Sequence, residues 1–318
     1  MPFGTITAEE TNKTINIYSD RFIYIYDKSS CGFSSIEVSN KELLKKPMTF
    51  NIFRAPLDND PKKSWKDALL NDSAVYEQST IVEEYEGYVV IISKFNMSAP
   101  TMFPHIEATA EWTVFADGNI DLHTNAKLGK GLTFRQYKPE NMEDLFQDIG
   151  KYIPYLPRFG LTIEMPREFG LLDYFGMGPS DSYCDRNHAS FMGKFSTKVD
   201  NEWTNYVKPQ ESGHHYNSYW AYVHNQEGLG LVAIGENEPF EFSAIPYSSK
   251  EIAAAPHSFE LPNKDKTVFS VDYKMSGVGS ASCGPMLKEK YRFNENEFTF
   301  NVKLIPTEQA LDDPFEML

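Results

Sequence analysis

A chain of 318 residues with 45 acidic and 30 basic side chains has a formal net charge of -15, which argues against nucleic acid or an anionic membrane surface as its partner. Its 41% hydrophobic and 14% aromatic content is ample for a core and excludes a disordered or collagen-like polymer, so a neutral substrate fits better. Cys31, Cys184 and Cys283 are too few and too scattered for a disulfide framework, and "MPFGTITAEETN" has no basic or apolar leader region, so a reducing, cytoplasmic setting is expected.

From the N-terminus, "TINIYSDRFIYIYD" alternates apolar and polar residues with the period of half-buried antiparallel strands. "DPKKSWKDALLND" has room for two or three helical turns, with Asp60 expected as N-cap and Pro61 as the first helical residue. "YEGYVVIISKF" resumes the alternation, and its apolar centre is far too short to span a bilayer. "IEATAEWTVFADGNIDLHT" reads as a hairpin turning at Asp117-Gly118, residue types that tolerate positive φ. "SSKEIAAAPH" reads as a short helix, and "KTVFSVDYKM" and "NEFTFNVKLI" as further strands. No fixed-period repeat and no Gly/Ser- or Pro-rich linker interrupts the chain, so residues 1–318 are expected to form one all-β domain, a large antiparallel sandwich.

Four stretches carry residues with chemical potential. "FRAPLDND" offers Asp58 and Asp60 as a conceivable glycosidase pair, although Asp, Asn and Pro at this density make turns and caps, with Arg54 able to pair locally. "FGMGPSDSYCDRNHAS" holds Asp181, Asp185 and His188 without the ligand count or spacing of a specific metal motif. "QESGHHYNSYW" places His214 and His215 near Glu211 and beside three aromatics, which suits a sugar site and equally suits a β core. In "GVGSASCGP" no G-x-G-x-x-G pattern forms, and Cys283 has no His close in sequence to activate it, so a glycine-rich turn is the simpler reading.

"FRAPLDND", "LPRFGLTIEMP", "YFGMGPSDSYCDR", "YVKPQESG" and "SGVGSASCGP" resemble, in that order, the C-terminal domain of the large β-galactosidases. The resemblance implies a galactose mutarotase-like super-sandwich, and the length of the chain matches the small, non-catalytic subunit of a heteromeric β-galactosidase acting on terminal β-galactosides such as lactose. In that family a TIM barrel on the large subunit carries the two glutamates of a retaining mechanism, with magnesium and sodium, so none of these is expected in this chain. The resemblance places Ser282 and Cys283 on the substrate side of the last loop, at a position where relatives often carry a Trp. Cys has no aromatic face, so a stacking contribution to leaving-group binding is expected to be missing. It further implies a mobile loop at "SSCGFSS", residues 29–35, with Gly32 as hinge and Phe33 near the sugar, and a bracing role for Arg54, Asp58, Asn59 and Asp60. Two other functions are compatible with the residues: an aldose 1-epimerase using His214 or His215 with Glu211, and a carbohydrate-binding module.

Overall fold

The computed structural model describes residues 4–134, 151–279, 287–309 and 311. The first five strands, β1 (Ile6–Glu10), β2 (Thr14–Ser19), β3 (Phe22–Asp27), β4 (Gly32–Val38) and β5 (Lys41–Glu42), form an antiparallel meander. Then follow β6 (Thr49–Asn51), α1 (Lys62–Asp67), β7 (Ala74–Tyr85), β8 (Tyr88–Ser98), β9 (Ile106–Phe115), β10 (Ile120–Leu128), β11 (Leu132–Phe134), β12 (Lys151–Ile153) and β13 (Arg158–Pro166). The chain continues through β14 (Leu171–Gly178), β15 (Phe191–Lys198), α2 (Val199–Glu202), β16 (His214–Ser218), β17 (Trp220–His224) and β18 (Gly230–Gly235). It closes with β19 (Phe240–Ile245), α3 (Ser249–Ala254), β20 (Lys266–Met275) and β21 (Glu297–Thr307).

A nine-stranded antiparallel sheet, in the order β15-β14-β17-β18-β21-β10-β9-β8-β7, faces a five-stranded one in the order β16-β19-β20-β13-β6. Ring pairs cross the gap between them: Phe50 stacks on Phe95 at 4.7 Å, Phe159 meets Phe298 edge-on at 4.8 Å, and Tyr174 meets Phe242 at 5.3 Å. The N-terminal meander joins the same core through Phe33, edge-on to Trp112 at 5.3 Å. The period-two pattern produces this packing, because every second side chain points inward; along β8 the buried members are Val89, Ile91, Ser93, Phe95 and Met97.

The expected hairpin turns at Gly118, whose φ is +93°, and β9 and β10 pair from Val114↔Ile120 to Ile106↔Leu128. The helix expected in "SSKEIAAAPH" is α3, where Ser248 and Glu251 form a reciprocal capping box.

Two local expectations are corrected. Asp60 does not cap α1: the cap position is Pro61 and carries no side-chain hydrogen bond, because both carboxylate oxygens of Asp60 are held by Arg54. The segment at residues 29–35 is not a continuous loop, since from Gly32 onward it is strand β4. Gly32 opens that strand where a Cβ would fall 2.8 Å from the Met48 carbonyl, so close backbone approach explains the glycine.

Candidate functional site

Chemistry-bearing side chains from distant parts of the sequence converge where β20 ends and the chain enters Gly277, Val278 and Gly279. Arg54, buried, forms a two-pronged ion pair with Asp60 at 2.7 and 2.9 Å, and its Nη2 donates to the Gly277 carbonyl at 3.4 Å. Burial by itself would lower the Arg54 pKa, but Asp60, with Glu211 nearby, holds it above its ordinary value. Asn59 Nδ2 donates to the Val278 carbonyl at 2.6 Å. Asp185 accepts from the backbone N–H groups of Val278 at 3.0 Å and Gly279 at 2.7 Å. Gly277 N in turn donates to the Tyr291 carbonyl at 2.9 Å.

A layer of buried charge supports this loop root. Arg158 on β13 pairs through Nε with Asp272 on β20 at 3.0 Å, and through a second guanidinium nitrogen with the other carboxylate oxygen. Burial pushes Asp272 up to about 6 despite the pull of Arg158. Glu211 is raised for the same reason, against the charges of Arg158 and Arg54. His214 Nδ1 donates to the Ser182 carbonyl at 3.1 Å, and its Nε2 lies 3.3 Å from Glu241 Oε2, which also accepts from Met275 N at 2.8 Å. Burial would lower the His214 pKa, but Glu241 outweighs it and raises the value. Among the described residues several buried polar atoms here have no partner, including Arg54 Nε, Tyr183 Oη and Glu211 Oε1. The layer is therefore not closed on itself, the condition in which polar burial costs most.

The structure distributes the sequence candidates unevenly. Arg54, Asn59 and Asp60 meet at the loop root, whereas Asp58 points outward and pairs with Lys62 at 2.8 Å, its side chain 70% exposed. Asp58 and Asp60 thus do not form an acid and base pair. Gly32 and Phe33 are buried, and the Phe33 ring is occupied by contacts with Tyr24, Tyr26 and Trp112. Ser282 and Cys283 lie outside the described residues. His214 and His215 are both fully buried, and His215 Nε2 is taken up by Glu202 at 2.8 Å, so among the described residues neither ring is exposed to solvent.

Asp181 pairs with Arg186 at 2.8 Å and Asp185 serves the loop root, so the "FGMGPSDSYCDRNHAS" acids are not gathered for a cation. Among the described residues no three His, Cys, Asp or Glu side chains come together as a metal set. Burial pushes the Cys31 and Cys184 thiols up to about 12, so neither is a thiolate at neutral pH. Sequence reasoning missed the loop-root role of Asp185 and the whole Arg158–Asp272 pair. Pairing of residues 114 positions apart leaves no local spacing to detect.

Fold and site together define a large antiparallel β-sandwich domain with one braced loop root. A family model described as beta galactosidase small chain matches residues 18–304, and the chain belongs to that family. Its relatives include the β-galactosidases of Actinobacillus pleuropneumoniae, 32% identical over 95% of this chain, and Staphylococcus xylosus, 30% identical over 94%. That of Kluyveromyces lactis is 25% identical over 95%. This chain spans only 28% of the length of each of the three. Among solved structures it is similar to a galactose mutarotase-like protein from Lactobacillus casei, with a TM-score of 0.42 and 11% identity, covering 94% of this chain and 99% of that one. A galactose 1-epimerase from Lactobacillus acidophilus gives a TM-score of 0.45 at 8% identity, covering 95% and 97%. Among the described residues no helix is long and apolar enough to cross a membrane.

Proposed function

We propose that this chain is the non-catalytic small subunit of a heteromeric β-galactosidase and completes the substrate mouth of a larger catalytic polypeptide. The observation that carries this reading is the match of residues 18–304 to a family model described as beta galactosidase small chain; the relatives named β-galactosidase are longer, this chain spanning 28% of the length of each of the first two. The part of those relatives outside this span would be supplied by the partner. The partner would hold the two glutamates of a retaining mechanism, one as nucleophile and one as acid and base, on a barrel domain. Magnesium and sodium would be held by that partner as well, as the resemblance to the large β-galactosidases implies.

In this scheme the contribution of the small chain is geometric. Its sandwich carries the braced root of the segment 280–286, and that segment would border the leaving-group side of the cavity, with terminal β-galactosides such as lactose as substrates. Cys283 within it would give the leaving group no aromatic face to stack on.

Mixing tests the reading directly. The purified chain should leave a chromogenic galactoside intact, and adding the large β-galactosidase chain should raise that chain's activity by about a hundredfold or more, as expected when positioning is completed. Cleavage by the small chain alone would overturn it.

A further inference from the structure

Glu211 is only 4% exposed and sits among the buried charges that support the loop root. Arg158 on β13, Arg54 after β6, His214 on β16 and Asp60 ahead of α1 all face it, and Asp272 on β20 and Glu241 on β19 complete the set through Arg158 and His214. The cations there are already taken. Arg54 is held by both oxygens of Asp60, Arg158 by both of Asp272, and His214 Nε2 lies 3.3 Å from Glu241. Even with His214 charged, three cations meet four acids, and the acid left over is Glu211.

Among the described residues Glu211 has no hydrogen bond and no ion pair, and its Oε1 is a buried atom without a partner. Tyr183, buried and near enough to feel the charge of Glu211, has a hydroxyl that is likewise without a partner. The backbone keeps the Glu211 side chain in place: Gly213 has φ +74°, a Cβ on it would fall 2.3 Å from the Glu202 carbonyl, and Ser212 Oγ accepts from Thr204 N at 3.4 Å. Glu211 therefore reaches water only if the segment that carries it moves.

A buried carboxylate without a bonded partner costs far more than the neutral acid, so such a group neutralises instead. Burial accordingly lifts the Glu211 carboxyl above the usual carboxylate range, against the pull of Arg158, Arg54 and His214. A bound cation is the other way to balance the charge, but among the described residues no three acid, His or Cys side chains converge to hold a metal ion. We infer that Glu211 is a neutral, protonated carboxylic acid in the folded chain at neutral pH and makes this layer a pH-sensitive element: folding takes up one proton there from water, and the fold weakens as rising pH makes that proton harder to supply. An unfolded Glu titrates at about 4.3, so this contribution is fully present below that pH and is lost as pH rises toward the higher value of the folded carboxyl.

The experiment uses the full chain. In wild-type protein with isotope-labelled glutamate carboxyl carbons, one NMR resonance should keep the shift of a protonated acid at neutral pH, and that resonance should be missing from Glu211→Gln, which keeps the shape and removes the charge. Denaturant unfolding from about pH 4 to about pH 8 should show the wild-type folding constant falling, relative to that of Glu211→Gln, by about tenfold per pH unit above about 4.3. If Glu211→Gln does not fold, the wild-type carboxyl spectrum decides alone. The absence of a protonated glutamate carboxyl at neutral pH, a protonated one that survives in folded Glu211→Gln, or parallel pH profiles for the two proteins would each overturn the inference. So would a stabilisation by sodium over choline at equal ionic strength that Glu211→Gln abolishes, since a bound cation would then balance the charge.

Discussion

Two glycine-bearing segments, Cys31–Gly32–Phe33 and Gly277–Val278–Gly279, both looked like sugar-side loops and end in opposite physical situations. In the first, apolar bulk controls the outcome: Phe33 is drawn into a ring cluster with Trp112, and Gly32 is needed only to pass the Met48 carbonyl. In the second, polar side chains control it, with Asp185, Asn59 and Arg54 converging on three residues of backbone. Glycine therefore marks close approach in both segments and says nothing about mobility in either. What differs is whether the approaching partner is packed hydrocarbon or an oriented hydrogen-bonding group.

This contrast can be broken by mutation, starting with the largest expected effect. Phe33→Ala should cost about 3–5 kcal/mol in urea unfolding, the range for emptying a buried aromatic site, and a loss below about 1 kcal/mol would show that the ring is not a core element. Arg54→Ala should cost about 3–5 kcal/mol, because it strands the Asp60 carboxylate where it is buried, and should also quicken amide exchange at the loop root. Replacing Arg54 and Asp60 together by apolar residues of similar volume should recover much of that loss, which a double-mutant cycle measures.

His105 sharpens the comparison through pH. Burial pushes it down to about 4, below the value near 6.5 expected unfolded, so the fold favours its neutral form. Its contribution is present above about pH 6.5 and is lost as pH falls toward 4, amounting to about 3 kcal/mol in all. Denaturant melts at neutral and mildly acid pH should show this loss in the wild type and not in His105→Gln. Smallest of all, Asp58→Asn should change stability by less than about 0.5 kcal/mol, since its pair with Lys62 lies in water; a larger loss would return Asp58 to the bracing set.

Legibility followed the range of the interaction involved. Strands β8, β9, β10, β20 and β21 could be read directly, because alternation is written into neighbouring residues, and Asp117-Gly118 marked its turn for the same reason. Asp60 misled because Asp before Pro is a good local capping signal, and the competing Arg54 contact only exists once the loop is folded. Asp185 was visible as an acid and not as an acceptor, since its donors lie 93 and 94 residues away.

By itself the amino-acid order determined the β class, the hairpin at Gly118 and the membership in a β-galactosidase lineage, since periodicity and short ordered motifs survive in one dimension. Only the tertiary structure decided which of the marked residues act together. It sent Phe33 inward, turned Asp58 outward and joined Asp185 to Gly279, because a buried ring seeks hydrocarbon and a carboxylate seeks donors wherever the fold delivers them.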